Sequence, residues 1–233
     1  VVREIMRQTP NEKIVYFGDT ARVPYGSKSR DTVTRYSRQI LRFLQKQQVK
    51  AIVVACNTAS AYALDEIEKE TDIPMIGVVK PGAKTAVETT VNGQIGVIGT
   101  EGTIDSGIYS RYIKDLDPQI KVTGKACPLF TPLVEEGLWE DPVTDEIAGR
   151  YLEELIDIGI DTLILGCTHY PLVADSIKKL YPGLPLIDPA EEMARSLQAY
   201  LIREGLGNPQ TAPGTLSVYT TGDVEEYALR ARQ

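Results

Sequence analysis

Short apolar runs alternate with longer amphipathic stretches along nearly the whole chain, and no other feature limits the fold so tightly. An apolar run too short for a helix, followed by a helical pattern, reads as a strand buried on both faces. Strands of that kind belong to parallel sheets covered by helices. Strands are expected at 14–17, 51–55, 74–79, 94–98, 119–124, 162–165 and 184–187. Helices are expected at 29–48, 58–70, 83–90, 104–115, 143–158, 172–180 and 190–203, and segments 216–219 and 224–230 close the chain. Spacing near one helical turn puts Val33, Tyr36, Ile40 and Leu44 on one inner face. It puts Ile147, Tyr151, Leu155 and Ile158 on a second, and Met193, Leu197 and Leu201 on a third.

A weak internal repeat refines this α/β reading. Lys50-Ala-Ile-Val-Val-Ala-Cys-Asn-Thr58 resembles Asp161-Thr-Leu-Ile-Leu-Gly-Cys-Thr-His169. Each places a cysteine just past an apolar strand, with a polar residue able to cap the next helix. The expectation is two similar three-layer α/β halves with mostly parallel central sheets facing a shared cleft. The first half takes 1–79 and 189–233 and carries Cys56; the second takes 80–188 and carries Cys167. Ligands in such sheets bind beyond the carboxyl ends of the strands, so the residues just after each strand are the candidates for chemistry.

Cys56 and Cys167 lead that group. A thiol at a helix N-terminus meets unpaired N–H groups and the positive end of the dipole, and both favour the thiolate. The thiol pKa is therefore expected to fall toward neutrality. A single cysteine is most often a small buried apolar residue, but two in matched places are harder to read that way. Cys127, followed by Pro128, reads as structural. His169, the only histidine, stands two residues from Cys167, where it can assist proton exchange or favour the thiolate. Asn57, Thr58 and the loop Gly99-Thr-Glu-Gly-Thr103 offer amides and hydroxyls for a carboxylate. The turn Pro24-Tyr-Gly-Ser27 does the same through Gly26. Glu135 and Glu136 read as a solvated helix end, with one of them able to reach the cleft.

Other classes are excluded. A net charge of −7 argues against a nucleic-acid-binding face. No apolar run approaches the roughly 18 residues of a membrane span. The start, 1–10, is charged and amphipathic rather than a secretory signal. Three scattered cysteines are poor material for a disulfide framework and fit a reducing cytoplasm. No Cys-x-x-Cys, Walker loop or dinucleotide fingerprint is present, so no metal is expected.

Taken together, several segments resemble the glutamate racemase family. They are Phe17-Gly-Asp-Thr-Ala-Arg-Val-Pro-Tyr-Gly26, Ala55-Cys-Asn-Thr-Ala59, Lys80-Pro-Gly82, Val97-Ile-Gly-Thr100, Gly166-Cys-Thr-His-Tyr-Pro171 and Tyr219-Thr-Thr-Gly-Asp223. The match runs in order along essentially the whole chain. It implies a cofactor-independent racemase in which Cys56 and Cys167 exchange protons with glutamate and His169 assists Cys167. Tyr25, Gly26, Asn57, Thr58, Thr100 and Thr168, with His169, would line the substrate pocket. It also implies a cytoplasmic enzyme supplying D-glutamate for peptidoglycan, often a homodimer, with no nucleic-acid or membrane partner. The alternatives are an aspartate or related amino-acid racemase, whose members tend to carry Glu where this chain has His169, and an inert carboxylate-binding protein. In this family a strand ending in Asp-Ser-Gly comes first, and its aspartate assists the first cysteine. Val1 to Gln8 resembles the helix after it, so the sequence is expected to begin partway into a longer protein.

Overall fold

The computed structural model describes residues 1–225. In chain order the elements are α1 (Val2–Gln8), β1 (Ile14–Gly18), α2 (Arg30–Gln45), β2 (Ile52–Val54), α3 (Asn57–Tyr62), α4 (Leu64–Ile67), β3 (Met75–Gly77), α5 (Val79–Thr89), β4 (Gln94–Gly99), α6 (Glu101–Asp105), α7 (Ile108–Leu116), β5 (Lys121–Ala126), α8 (Phe130–Glu135), α9 (Pro142–Asp157), β6 (Thr162–Gly166), α10 (Ala174–Leu180), β7 (Leu186–Ile187), α11 (Pro189–Arg203) and β8 (Leu216–Thr220). The expected segment 224–230 lies mostly outside the described residues. Among those residues, no helix is long and apolar enough to cross a membrane.

Every strand pair is parallel. One sheet has the order β5-β4-β6-β7; β1 pairs with β8, and β2 with β3. In the larger sheet, alternate residues serve opposite cores. Ile95, Val97 and Ile164 pack with Ala83 and Ala86 of α5 and Ile108 and Ile113 of α7. Ile98, Leu163 and Leu165 pack with Ala148, Leu152 and Leu155 of α9 and Ile177 of α10. Both faces are thus covered, which is why β4 and β6 read as continuous apolar runs. The chain end returns to its start: β8 lies beside β1, and α11 packs on α1 and α5.

Several helices depart from their expected bounds for identifiable reasons. The stretch 58–70 breaks after Tyr62, whose carbonyl accepts from Arg30 Nη1 (3.2 Å) and Thr34 Oγ1 (3.3 Å), while Glu66 N–H turns to Ala63 instead. The stretch 104–115 breaks at Gly107, whose φ of 63° only glycine adopts freely. Helix α5 starts before Ala83, taking in Pro81 and Gly82, because a proline in the first turn gives up an N–H that has no helical partner. The stretch 172–180 opens as a tight 3-10 turn, Tyr170–Val173, before α10. Helix α9 buries Thr144, Ala148, Leu152 and Leu155 and leaves Ile158 exposed, a face turned from the expected one toward the smaller Ala148. Helix α2 buries Val33, Thr34, Ser37 and Leu41. Its Ile40 and Leu44 instead front a cavity of 1820 Å³ that opens between β1 and β2 and continues into the cleft.

A single carboxylate fastens the entry to the large sheet. Asp161, just before β6, accepts from Thr90 Oγ1 (2.5 Å) and from the N–H groups of Val91 (2.6 Å) and Asn92 (2.7 Å) in the turn before β4. Partial burial opposes its charge, yet these donors hold the carboxyl below the ordinary carboxylate range. A depressed folded value contributes stability above the unfolded pKa of about 3.9, and that contribution fades as pH falls through this range. Asp161→Asn is expected to destabilise the protein at pH 7 by about 1–2 kcal/mol, seen as a Tm lower by several degrees. It should also remove part of the wild-type decline in Tm below about pH 5, with both effects read by calorimetry.

Candidate active site

Cys56 stands one intervening residue past β2 and is itself the N-cap of α3, its Sγ accepting from Ala59 N–H at 3.5 Å. Neither Asn57 nor Thr58 caps this helix; both are its first residues, and both are buried. Cys167 follows β6, and its Sγ lies 3.7 Å from His169 Nδ1. His169 Nε2 meets Glu135 Oε1 of α8 at 2.6 Å. Of the two glutamates, Glu135 is therefore the one that reaches the cleft. Thiol, imidazole and carboxylate form a chain in which a proton leaving sulfur can rest on a ring whose charge the carboxylate offsets.

Polar contacts between the halves close the floor of the cleft. The hydroxyls of Thr58, Thr100 and Thr103 form a triangle with sides of 2.9, 3.1 and 3.3 Å. Tyr109 of α7 donates to Asn57 Oδ1 at 2.7 Å, which leaves Asn57 its Nδ2 donor group. Gly102 N–H donates to Gly26 C=O at 3.0 Å. Thr168 is exposed, on the rim. Cys56, Cys167, His169, Tyr25, Gly26, Asn57, Thr58, Thr100 and Thr168 all line this one cavity.

Tyr25 does so with its hydroxyl already committed. The phenol donates to Asp19, a buried carboxylate that also accepts from Arg22 Nε (2.7 Å) and Thr221 Oγ1 (2.8 Å). Burial and this bond raise the phenol pKa. Sequence reasoning passed over Asp19, although it stands where such reasoning looks, just after β1. Thr103, expected in the loop after β4, stands inside α6, and Tyr109, inside α7, has no local sequence signal. Cys127 is fully buried, its Sγ directed at Lys125 C=O (3.6 Å), and burial raises its thiol pKa.

The expected fall in the two thiol pKa values is overturned. Burial raises Cys56 despite the N–H groups of Ala59 and Thr58 and the Thr58 hydroxyl. Burial likewise pushes Cys167 up to about 11, against the N–H groups of His169 and Thr168, and ionisation of Cys56 would add to the rise. Desolvation of the charged sulfur outweighs the helix end. Cys167 also precedes a 3-10 turn rather than a regular helix, so fewer aligned dipoles face it. The cleft therefore holds two neutral thiols, each of which becomes a strong base once ionised.

Residues 1–197 match the model of the Asp/Glu/hydantoin racemases, and the chain belongs to that family of isomerases. The relatives narrow the class further. Glutamate racemase of Geobacter metallireducens is 50% identical over 206 residues, 88% of this chain and 76% of its own. Glutamate racemase isoform RacE1 of Bacillus anthracis superposes with a TM-score of 0.96 at 40% identity, covering 100% of this chain and 87% of that one. Glutamate racemase of Francisella tularensis, in complex with D-glutamate, gives 0.90 at 38%, covering 95% and 83%. It is among the glutamate racemases that this chain falls.

Gly26 sits against the side chain of Thr100. A Cβ there would lie 2.4 Å from Thr100 Cβ and 2.6 Å from its Cγ2. Gly26→Ala must displace the turn or the threonine triangle. An ångström of misplacement can cost about 100-fold in rate. Racemase activity is expected to fall by about that factor with an unchanged circular dichroism spectrum; wild-type activity would show that the contact does not position the site.

Proposed function

We propose that the protein interconverts L- and D-glutamate by two-base proton transfer, with Cys56 and Cys167 on opposite faces of the α-carbon. The observation that carries this reading is the convergence of two half-buried free thiols, each just past a strand end, on a single cleft. The D-glutamate held by the Francisella tularensis enzyme supports glutamate as the occupant.

One thiolate takes the α-proton from one face, and the opposite thiol returns a proton to the other. The reverse sequence converts the other enantiomer. A thiolate of raised pKa is scarce but basic, which suits removal of a tightly held carbon-bound proton. His169, backed by Glu135, takes up the proton that Cys167 must first release. Charge that develops on the substrate carboxylate is met by the hydroxyls and N–H groups of Asn57, Thr58, Thr100 and Thr168. Tyr25 and Gly26 contribute through the main chain, since Asp19 holds the phenol.

The halves follow the bounds 1–79 with 189–233, and 80–188. Pairing of β8 with β1 and packing of α11 on α1 support the return of the chain to the first half. The reading extends to a cytoplasmic enzyme that supplies D-glutamate for peptidoglycan.

Exchange of the glutamate α-proton in D2O, followed by NMR, tests the mechanism. Both this chain and a form extended at its N-terminus by the family's first strand should be measured. In the active form, Cys56→Ser and Cys167→Ser are each expected to reduce inversion by at least about 100-fold. A folded, extended protein that exchanges neither enantiomer would sink the proposal.

A further inference from the structure

The Cys167 side of the cleft holds one polar group with nothing to bond. Thr131 lies in the first turn of α8, and its Oγ1 is closed off from solvent without a hydrogen-bond partner. Among the described residues no other buried side-chain nitrogen or oxygen is left so. Buried hydroxyls are nearly always paired, because the bond to water is otherwise lost without return.

Its surroundings assign the hydroxyl to Cys167. Thr131 and Cys167 line the same cavity. Helix α8 packs against the 3-10 turn Tyr170–Val173 that follows Cys167. Glu135 stands one helical turn beyond Thr131, on the same face, and its carboxylate reaches His169, whose other nitrogen faces the sulfur. The Thr131 hydroxyl lies beside the thiol and favours its charged form.

We propose that Thr131 is a positioning residue for Cys167, donating a hydrogen bond to its sulfur once that sulfur is ionised. A neutral thiol is a weak acceptor, so the hydroxyl gains little from it. A thiolate is a strong one. The bond therefore forms with the charge it stabilises and fixes the direction in which the sulfur lone pairs point. When the substrate α-proton reaches sulfur, the C–H bond breaks, its electron pair stays with the carbon, an S–H bond forms, and the hydroxyl is released. The catalytic part rests on the two-base reading; the thiolate contact does not.

The groups facing Cys167 are His169 from its own segment, Glu135 of α8 through His169, Tyr109 of α7, Tyr170, and Cys56 across the cleft. Replacing Thr131 changes none of their charges. The test is alkylation of the intact chain by iodoacetamide across pH, read by mass spectrometry separately on the Cys56 and Cys167 peptides. In Thr131→Val the Cys167 profile should move up by roughly one unit, so that its rate at pH 8 falls about tenfold. Cys56 should be unaffected, and Thr131→Ser should restore Cys167. In an active form, racemisation should lose kcat rather than gain KM. Should the valine fail to fold, Thr131→Ala is measured in its place. An unmoved Cys167 profile, equal changes at both cysteines, or failure of serine to restore would overturn the proposal. If alkylation behaves as expected but no variant, wild type included, racemises glutamate, the two-base reading falls and the contact stands.

Discussion

The hydroxyl triangle of Thr58, Thr100 and Thr103, with the Tyr109–Asn57 bond beside it, sets the distance across the cleft. Asn57 and Thr58 are the two residues after Cys56, so the bonds that tie the halves together also orient the first thiol. The large sheet supplies the opposing wall: Thr100 follows β4 and Cys167 follows the adjacent β6, whose register pairs Gly99 with Gly166. A Cβ at Gly166 would lie 2.6 Å from the Ile98 carbonyl oxygen, so the strand ends approach as closely as glycine permits. Two thiols from remote parts of the chain thus sit on elements held by packing, an arrangement that suits proximity catalysis.

Burial then decides the character of the thiols. A helix end offers a sulfur partial charges; removal from water takes away a far larger solvation. Here the second effect wins at both cysteines, and each rests neutral. A neutral thiol is less open to oxidation and metal capture, which need the thiolate. It also leaves ionisation to local partners, and at Cys167 those are His169, Glu135 and the orphan hydroxyl of Thr131.

The alternation of apolar runs and helices was enough to read the α/β class and most strands, since period and length are local properties. Breaks at Tyr62 and Gly107 were not legible in the same way: the first depends on Arg30 and Thr34 reaching a carbonyl far along the chain. The post-strand rule found Cys56, Thr100 and Cys167 because strand ends are written in sequence. It could not weigh burial against dipole, which is a property of the folded cleft, and so it misjudged the thiols. The choice between Glu135 and Glu136 likewise needed the rotation of α8.

The two thiols are not served alike. Among the described residues, what favours the Cys56 thiolate is N–H groups and the Thr58 hydroxyl, with no imidazole or carboxylate of the kind Cys167 has. The cavity runs along this same side. It is bounded by β1 and β2, which share no hydrogen bond, and by Ile5, Leu41, Leu197 and Leu201. Two parallel strands thus present edges to one apolar gap on the Cys56 side. The thiol with fewer ionising partners therefore stands beside this apolar gap, and the thiol with imidazole, carboxylate and hydroxyl partners stands where the four-stranded sheet is continuous.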